Sequence, residues 1–197
     1  MRATGELAGL RIGITGTPCT GKKSVGAELA NLTGKNLIPI NDYALSHRSG
    51  RFADKEFVVD ERRLIGKIPT RGAIVVGHLL PYVVRKNQLD LVFVLRCSPN
   101  TLRKRLASRG YSAGKIQENV EAEVLGVIQY AALKRFGIRK IGEFDTTRSK
   151  PRTVAKKILD TIIGKRPKKS GAIDWLSDAG SPESLMGVLS IRDMDAQ

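Results

Sequence analysis

Nine residues have the types and spacing to hold a string of phosphates: Gly16-Thr17-Pro18-Cys19-Thr20-Gly21-Lys22-Lys23-Ser24. Gly16 and Gly21 let the backbone curl so that successive N–H groups point inward at phosphate oxygens. A helix that opens at Gly21 adds partial positive charge at the same place. Lys22 can reach the β and γ phosphates of a nucleoside triphosphate and follow the charge as it moves during transfer. The usual pattern puts Ser or Thr directly after this lysine, where the hydroxyl holds magnesium. Here Lys23 stands there and Ser24 follows. An ammonium has no lone pair for a metal, so Mg2+ is expected to be held through water and ATP, or by Ser24. Gly16, Cys19, Thr20, Gly21, Lys22, Lys23 and Ser24 are the expected ATP-binding residues. The alternative is a glycine-rich turn without a ligand, but a GK pair between a strand and a helix is specific.

The elements that must position this loop can be read from apolar spacing. Leu10–Thr15 is a short apolar strand that runs into the loop, and Gly21–Thr33 is a helix stopped by Gly34. Asn36–Ile40 reads as a second strand. Asn41–Phe57 reads as a polar, mobile insertion, and Val58–Ile68 as a helix. Ala73–Val76 and Leu91–Leu95 are valine-rich runs suited to buried parallel strands. Ser98-Pro99 starts a helix that ends at Gly110. Ile116, Val120, Val124, Val127, Ile128 and Ala131 then mark one long helix. Lys140–Phe144 is a last strand, and Pro151–Ile163 a closing helix stopped by Gly164. Strands alternating with helices imply an α/β fold with a parallel sheet covered on both faces. His78 follows the third strand, at the end where open parallel sheets bind ligands.

Two domain-level regions are expected, a core over residues 1–164 and an extension over residues 165–197. Arg166–Ser170 reads as a linker, and the extension as partly ordered or partner-binding, contributing little to the main core. The net charge is +15. The extension carries Lys165, Arg166, Lys168, Lys169 and Arg192 against Asp174, Asp178, Glu183, Asp193 and Asp195, so the whole excess sits on the core. Such a surplus favours a polyanion such as RNA; a solvated basic surface is the plainer reading. No apolar run approaches the roughly 18 residues of a membrane helix, and no secretion signal is expected in Met1–Gly9. Cys19 and Cys97 make no disulfide framework and suit a reducing cytoplasm; Cys97 reads as a small buried apolar residue.

The loop GTPCTGKKS resembles the GTPGxGKTT of an atypical adenylate kinase family, archaeal and eukaryotic nuclear-type, whose members double as ribosome-maturation ATPases. Leu91–Val127 is similar to that family's strand, helix and lid in order and spacing. The RGY of Arg109–Tyr111 and the KIxEN of Lys115–Asn119 are its most specific pieces. The resemblance spans about Leu10–Gly164. It implies a P-loop kinase with a five-stranded parallel sheet in the order 2-3-1-4-5, a monophosphate-binding insertion near Thr33–Glu56 and a lid near Ser108–Glu118. It makes Arg109 a lid arginine on the ATP phosphates, a role suited to a guanidinium fork, with Arg103 and Arg105 one turn away. It makes His78 the histidine that follows the third strand, able to orient a water or an acceptor phosphate. The aspartate expected two residues before it is Val76, a second departure affecting magnesium. Asp42 matches an acidic position at the start of the insertion and could touch the acceptor or cap a helix. Arg48 and Arg51 are candidates for the acceptor phosphate.

What the resemblance implies is an ATP:AMP phosphotransferase, with a broad nucleoside monophosphate range open to it and slow ATPase activity. Lys22, Arg109 and His78 are its catalytic candidates. It also implies a part in small ribosomal subunit maturation, with a small-subunit ribosomal protein and rRNA as partners. Two rivals stand beside this reading: a ribosome-assembly ATPase with incidental kinase activity, and a small-metabolite kinase of the same fold.

Overall fold

A computed structural model describes residues 7, 9–53 and 56–178. Five parallel strands form its centre: β1 (Ile12–Thr15), β2 (Asn36–Pro39), β5 (Ala73–Val76), β6 (Leu91–Arg96) and β7 (Ile141–Asp145), side by side as β2-β5-β1-β6-β7. Counted within this sheet, that is the expected order 2-3-1-4-5. β1 is buried throughout and pairs on both sides, with Ile14 beside Val76 and beside Phe93.

Strand side chains alternate between the two faces, so each run of buried residues feeds two cores. Ile12, Ile14, Ile74, Phe93 and Leu95 pack on one face under α1 (Lys22–Thr33) and α8 (Pro151–Ile162). Val75, Val92, Val94 and Ile141 pack on the other. There they meet α2 (Ile40–Ser46), α3 (Glu61–Leu64), α4 (Leu80–Val83) and α7 (Val127–Phe136). Each Ile, Val or Phe side chain so buried contributes about 1.5–3 kcal/mol. Both faces of the sheet are therefore fixed, and so is the height at which its C-terminal ends present their loops.

Three stretches differ from the sequence reading. Val58 and Val59 are not helical but belong to β4 (Glu56–Val59), paired antiparallel to β3 (Gly50–Ala53), with Phe52 opposite Phe57. Asp60 then caps the single turn of α3 by accepting from the Arg62 N–H at 3.1 Å. The stretch read as a polar, mobile insertion thus holds most of α2 and of this hairpin. The long helix is two, α6 (Ala113–Val124) and α7, because Gly126 turns the chain at φ 65. The third concerns Arg166–Ser170. These residues do not hang free: the Glu143 N–H donates to the Lys169 carbonyl at 2.8 Å, and the Gly171 N–H donates to Glu143 Oε1 at 2.9 Å. The chain continues into a short helix, α9 (Trp175–Asp178). The part of the expected extension beyond Asp178 lies outside the described residues.

Candidate active site

The loop between β1 and α1 holds its shape through contacts that only certain residues allow. Gly16 has φ +141, and a Cβ there would stand 2.2 Å from the Leu95 carbonyl oxygen. Cys19 and Gly21 also have positive φ, 65° and 91°. The left-handed conformation costs a non-glycine residue about 1–2 kcal/mol, and at Cys19 it is offset by burial. Its side chain packs with Cys97, Leu102, Leu106 and Val120, against which Tyr111 and Ile116 also lie. The room this side chain needs is therefore supplied by Cys97 just after β6, by α5 (Pro99–Ala107) and by α6, and the RGY and KIxEN pieces help to build it. Burial pushes the Cys97 thiol up to about 11, so it is a neutral packing group. The Thr146 hydroxyl, 2.9 Å from the Thr20 carbonyl, ties the loop to the end of β7.

Lys22 folds back onto its own loop, Nζ donating to the Thr17 carbonyl at 2.7 Å. Burial lowers its pKa to about 8. Two cavities border the loop. One, about 310 Å³, is lined by Cys19, Thr20, Gly21, Ser24, Arg105, Arg109 and Thr146 among others. The other, about 210 Å³, is lined by Lys22, Lys23, Asp42, Val76, Gly77 and His78 among others. Arg109 is exposed at the rim of the first. Arg105 is held there by the Thr146 carbonyl at 2.8 Å, whereas Arg103 turns to Gln117 at 3.0 Å. In the second, burial and then the Lys22 charge push His78 down to about 4, so its imidazole is neutral near pH 7.

The residues expected around a metal are arranged unusually. Lys23 Nζ is 2.8 Å from Asp42 Oδ2. Val76 is buried and packs on α1, where a Cβ added to Gly26 would come within 2.7 Å of it. Among the described residues no group of three or more His, Cys, Asp and Glu could hold a metal ion. Ser24 is the hydroxyl on the loop side, exposed to the first cavity.

Arg48 and Arg51 are not brought to this place. Arg51 lines a separate cavity of about 390 Å³ with Val58 and Asp60, and Arg48 one of about 440 Å³ with Tyr43 and His47. Neither cavity shares a lining residue with the one that holds Asp42 and His78. The hairpin is the reason: it carries Arg51 away on β3, and Arg48, at φ 49, turns the chain just before it.

Sequence reading also missed a buried carboxylate behind the loop. Glu123 is 1% exposed and accepts from Thr17, Arg96, the Cys97 N–H and Trp175. The signal was present, since Glu123 falls between Val120 and Val124 in an apolar stripe and Arg96 ends an apolar strand. A charge in a buried stripe needs a partner.

Comparison with known proteins agrees with this arrangement. Residues 12–126 match the model of a family described as AAA domain. A Pyrococcus furiosus protein named "Putative adenylate kinase" is 37% identical over 171 residues, covering 83% of this chain and 90% of that protein. One of the same name from Archaeoglobus fulgidus is 38% identical, covering 85% and 92%. Among solved structures, shikimate kinase from Acinetobacter baumannii shares the fold at a TM-score of 0.62 and 16% identity, covering 84% of this chain and 99% of that one. Deoxyadenosine kinase from M. mycoides does so at 0.51 and 15%, covering 79% and 100%. With its loop, its sheet and its two flanking cavities, the chain belongs to the family of these archaeal adenylate kinase-like P-loop proteins and is a nucleotide kinase by fold and kinship.

Proposed function

We propose that the protein transfers the γ-phosphoryl group of ATP to AMP, with other nucleoside monophosphates as possible acceptors and slow ATP hydrolysis as the side reaction. The observation that carries this reading is that the loop borders two cavities, one lined by Cys19, Thr20, Gly21, Ser24, Arg105 and Arg109, the other by Lys22, Asp42 and His78. The first suits the triphosphate and the second the acceptor. Lys22 exchanges the Thr17 carbonyl for phosphate oxygens and moves with the transferring charge. Arg109 closes from the rim as a fork on the same oxygens. His78, neutral, is a hydrogen-bonding partner for the acceptor phosphate or for the water of the side reaction. Phosphoryl transfer needs positioning and charge compensation rather than a covalent intermediate.

A single loop hydroxyl fits a magnesium ion that would be held mainly by water and the ATP phosphates, as this ion commonly is. Ser24 is the side chain that would hold it, because Asp42, the carboxylate lining the second cavity, already faces Lys23. When bound, the ion neutralises phosphate charge.

The test is a coupled assay with AMP, CMP and shikimate as acceptors, run beside ATP hydrolysis, with Lys22→Ala as the control. AMP turnover that falls by far more than tenfold in that variant supports the reading. Shikimate as the best acceptor would replace it with the small-metabolite kinase.

A second reading rests on charge. The excess of +15 resides in residues 1–164, far more than one nucleotide requires. It favours a cytoplasmic assembly role in which nucleotide state changes the grip on rRNA, or on a small-subunit ribosomal protein held near it. Co-sedimentation with small subunits, with ADP and with a non-hydrolysable ATP analogue, tests it. Direct RNA contact would weaken steeply with salt.

A further inference from the structure

Glu123 gathers donors from three separate parts of the chain. Its Oε1 accepts from Arg96 Nε at 2.8 Å, the Cys97 N–H at 3.0 Å and Trp175 Nε1 at 3.1 Å. Its Oε2 accepts from Thr17 Oγ1 at 2.5 Å. Thr17 belongs to the phosphate loop, and its carbonyl is where Lys22 Nζ and Thr20 Oγ1 both rest, at 2.7 and 2.9 Å. A continuous chain of hydrogen bonds therefore runs from the indole of Trp175 through Glu123 and Thr17 to Lys22.

We propose that Glu123 is a positioning residue for Lys22, acting through Thr17, and that Trp175 completes it from the C-terminal segment. The segment is anchored for this purpose: the Arg166 N–H donates to the Asp160 carbonyl at 3.1 Å, and Lys169 and Gly171 bond to Glu143. Hydrogen bonds to a buried carboxylate are charge-assisted and roughly twice as strong as neutral ones. Losing one donor from Oε1 leaves more charge to be satisfied at Oε2, where Thr17 is held. The Thr17 carbonyl competes with phosphate for Lys22, so its orientation sets how readily the lysine is released to a ligand. The proposal rests on the reading that this loop binds ATP.

Trp175 is the sole tryptophan of the chain, which makes the relay observable. Trp175→Phe keeps a ring and removes the donor. It is expected to weaken ATP binding about three- to tenfold by calorimetry, roughly the net contribution of one ordinary hydrogen bond. In a Thr17→Val background the same change is expected to add nothing, because the path through the hydroxyl is already cut. Wild-type Trp175 emission is expected to change on ATP binding, and Thr17→Val to remove that change while ATP still binds. Glu123→Gln leaves the buried Arg96 without its counter-charge and can unfold the protein, so the indole and the hydroxyl carry the test. Unchanged ATP affinity in Trp175→Phe, or losses that add in the double variant, overturns the proposal while leaving ATP binding intact. Failure of the wild type to bind ATP removes this proposal and the kinase reading together.

Discussion

Lys23 Nζ and Asp42 Oδ2, 2.8 Å apart, join the start of α1 to the start of α2, and both line the cavity that holds His78. The residue that stands where a metal-binding hydroxyl is usual thus pairs with the one acidic residue expected on the acceptor side. The two occupy each other, and the pair is well exposed, at 69% and 59%.

Exposed ion pairs contribute about 0–1 kcal/mol, so this one is a matter of function rather than stability. Lys23→Thr restores the hydroxyl and frees Asp42. Melting temperature is expected to stay within a few degrees of wild type, and AMP-dependent turnover to be unchanged or raised. A collapse of turnover in an intact protein would show that Lys23 acts on phosphate.

Gly16 and Gly21 make a contrasting pair. Alanine at Gly16 meets the Leu95 carbonyl at 2.2 Å, a backbone atom that cannot yield without disturbing β6. Alanine at Gly21, φ +91, meets nothing within 4 Å and carries only conformational strain, about 1–2 kcal/mol. Thermal melts without ligand are expected to show Gly16→Ala lowered by clearly more than Gly21→Ala. Equal losses would mean that the loop relaxes around Leu95.

Much of this was legible from the chain because the information is local. β1, β5 and β6 announce themselves as short buried runs, and the loop carries its glycines where positive φ is required. The hairpin was not legible, because Val58, Ile65 and Ile68 recur at spacings that also suit a helix; pairing with Gly50–Ala53 decides otherwise. Gly126 inside an apolar stripe could equally be tolerated within one helix. Trp175 was beyond reach because its partner, Glu123, lies 52 residues away. Balanced charge and sparse apolar content made its segment look detached. Arg48 and Arg51 were chosen for their charge inside the insertion that the resemblance implied, and neither ground says which way a hairpin carries a side chain.

His78 offers a pH test of the acceptor cavity. Its folded pKa, about 4, lies below the ordinary 6.5 because burial and then Lys22 disfavour the imidazolium. Between those values the unfolded chain binds a proton that the folded protein refuses, so stability from this source is full above about 6.5 and is lost as pH falls toward 4. The loss is about 1–3 kcal/mol, allowing for partial exposure. Urea melts at pH 7 and pH 4.5 are expected to show a smaller difference in His78→Gln than in wild type. An equal difference would place the acid sensitivity elsewhere.

Lys22 yields the sharpest expectation, because its pKa and its proposed role pull in opposite directions. Burial lowers the free lysine to about 8, while a polyphosphate beside it favours the ammonium and raises the value in the complex. Below about pH 8 the free protein already carries the proton, so ATP affinity is at its full value. Above it, binding must take up a proton, and affinity falls as pH rises until the pKa of the complex is passed. Calorimetry at pH 8.5 in two buffers of different ionisation enthalpy reads that uptake directly. A fraction of a proton, rising between pH 7.5 and 9, is expected for wild type, and Lys22→Met is expected to lose that component along with most of the affinity. Identical heats in both buffers for wild type would mean that Lys22 is charged throughout and that its contact with the Thr17 carbonyl, not burial, governs its proton. Because Thr17 is tied to Glu123 at 2.5 Å, the same measurement on Trp175→Phe shows whether the relay from the C-terminal segment reaches the lysine's proton as well as its position.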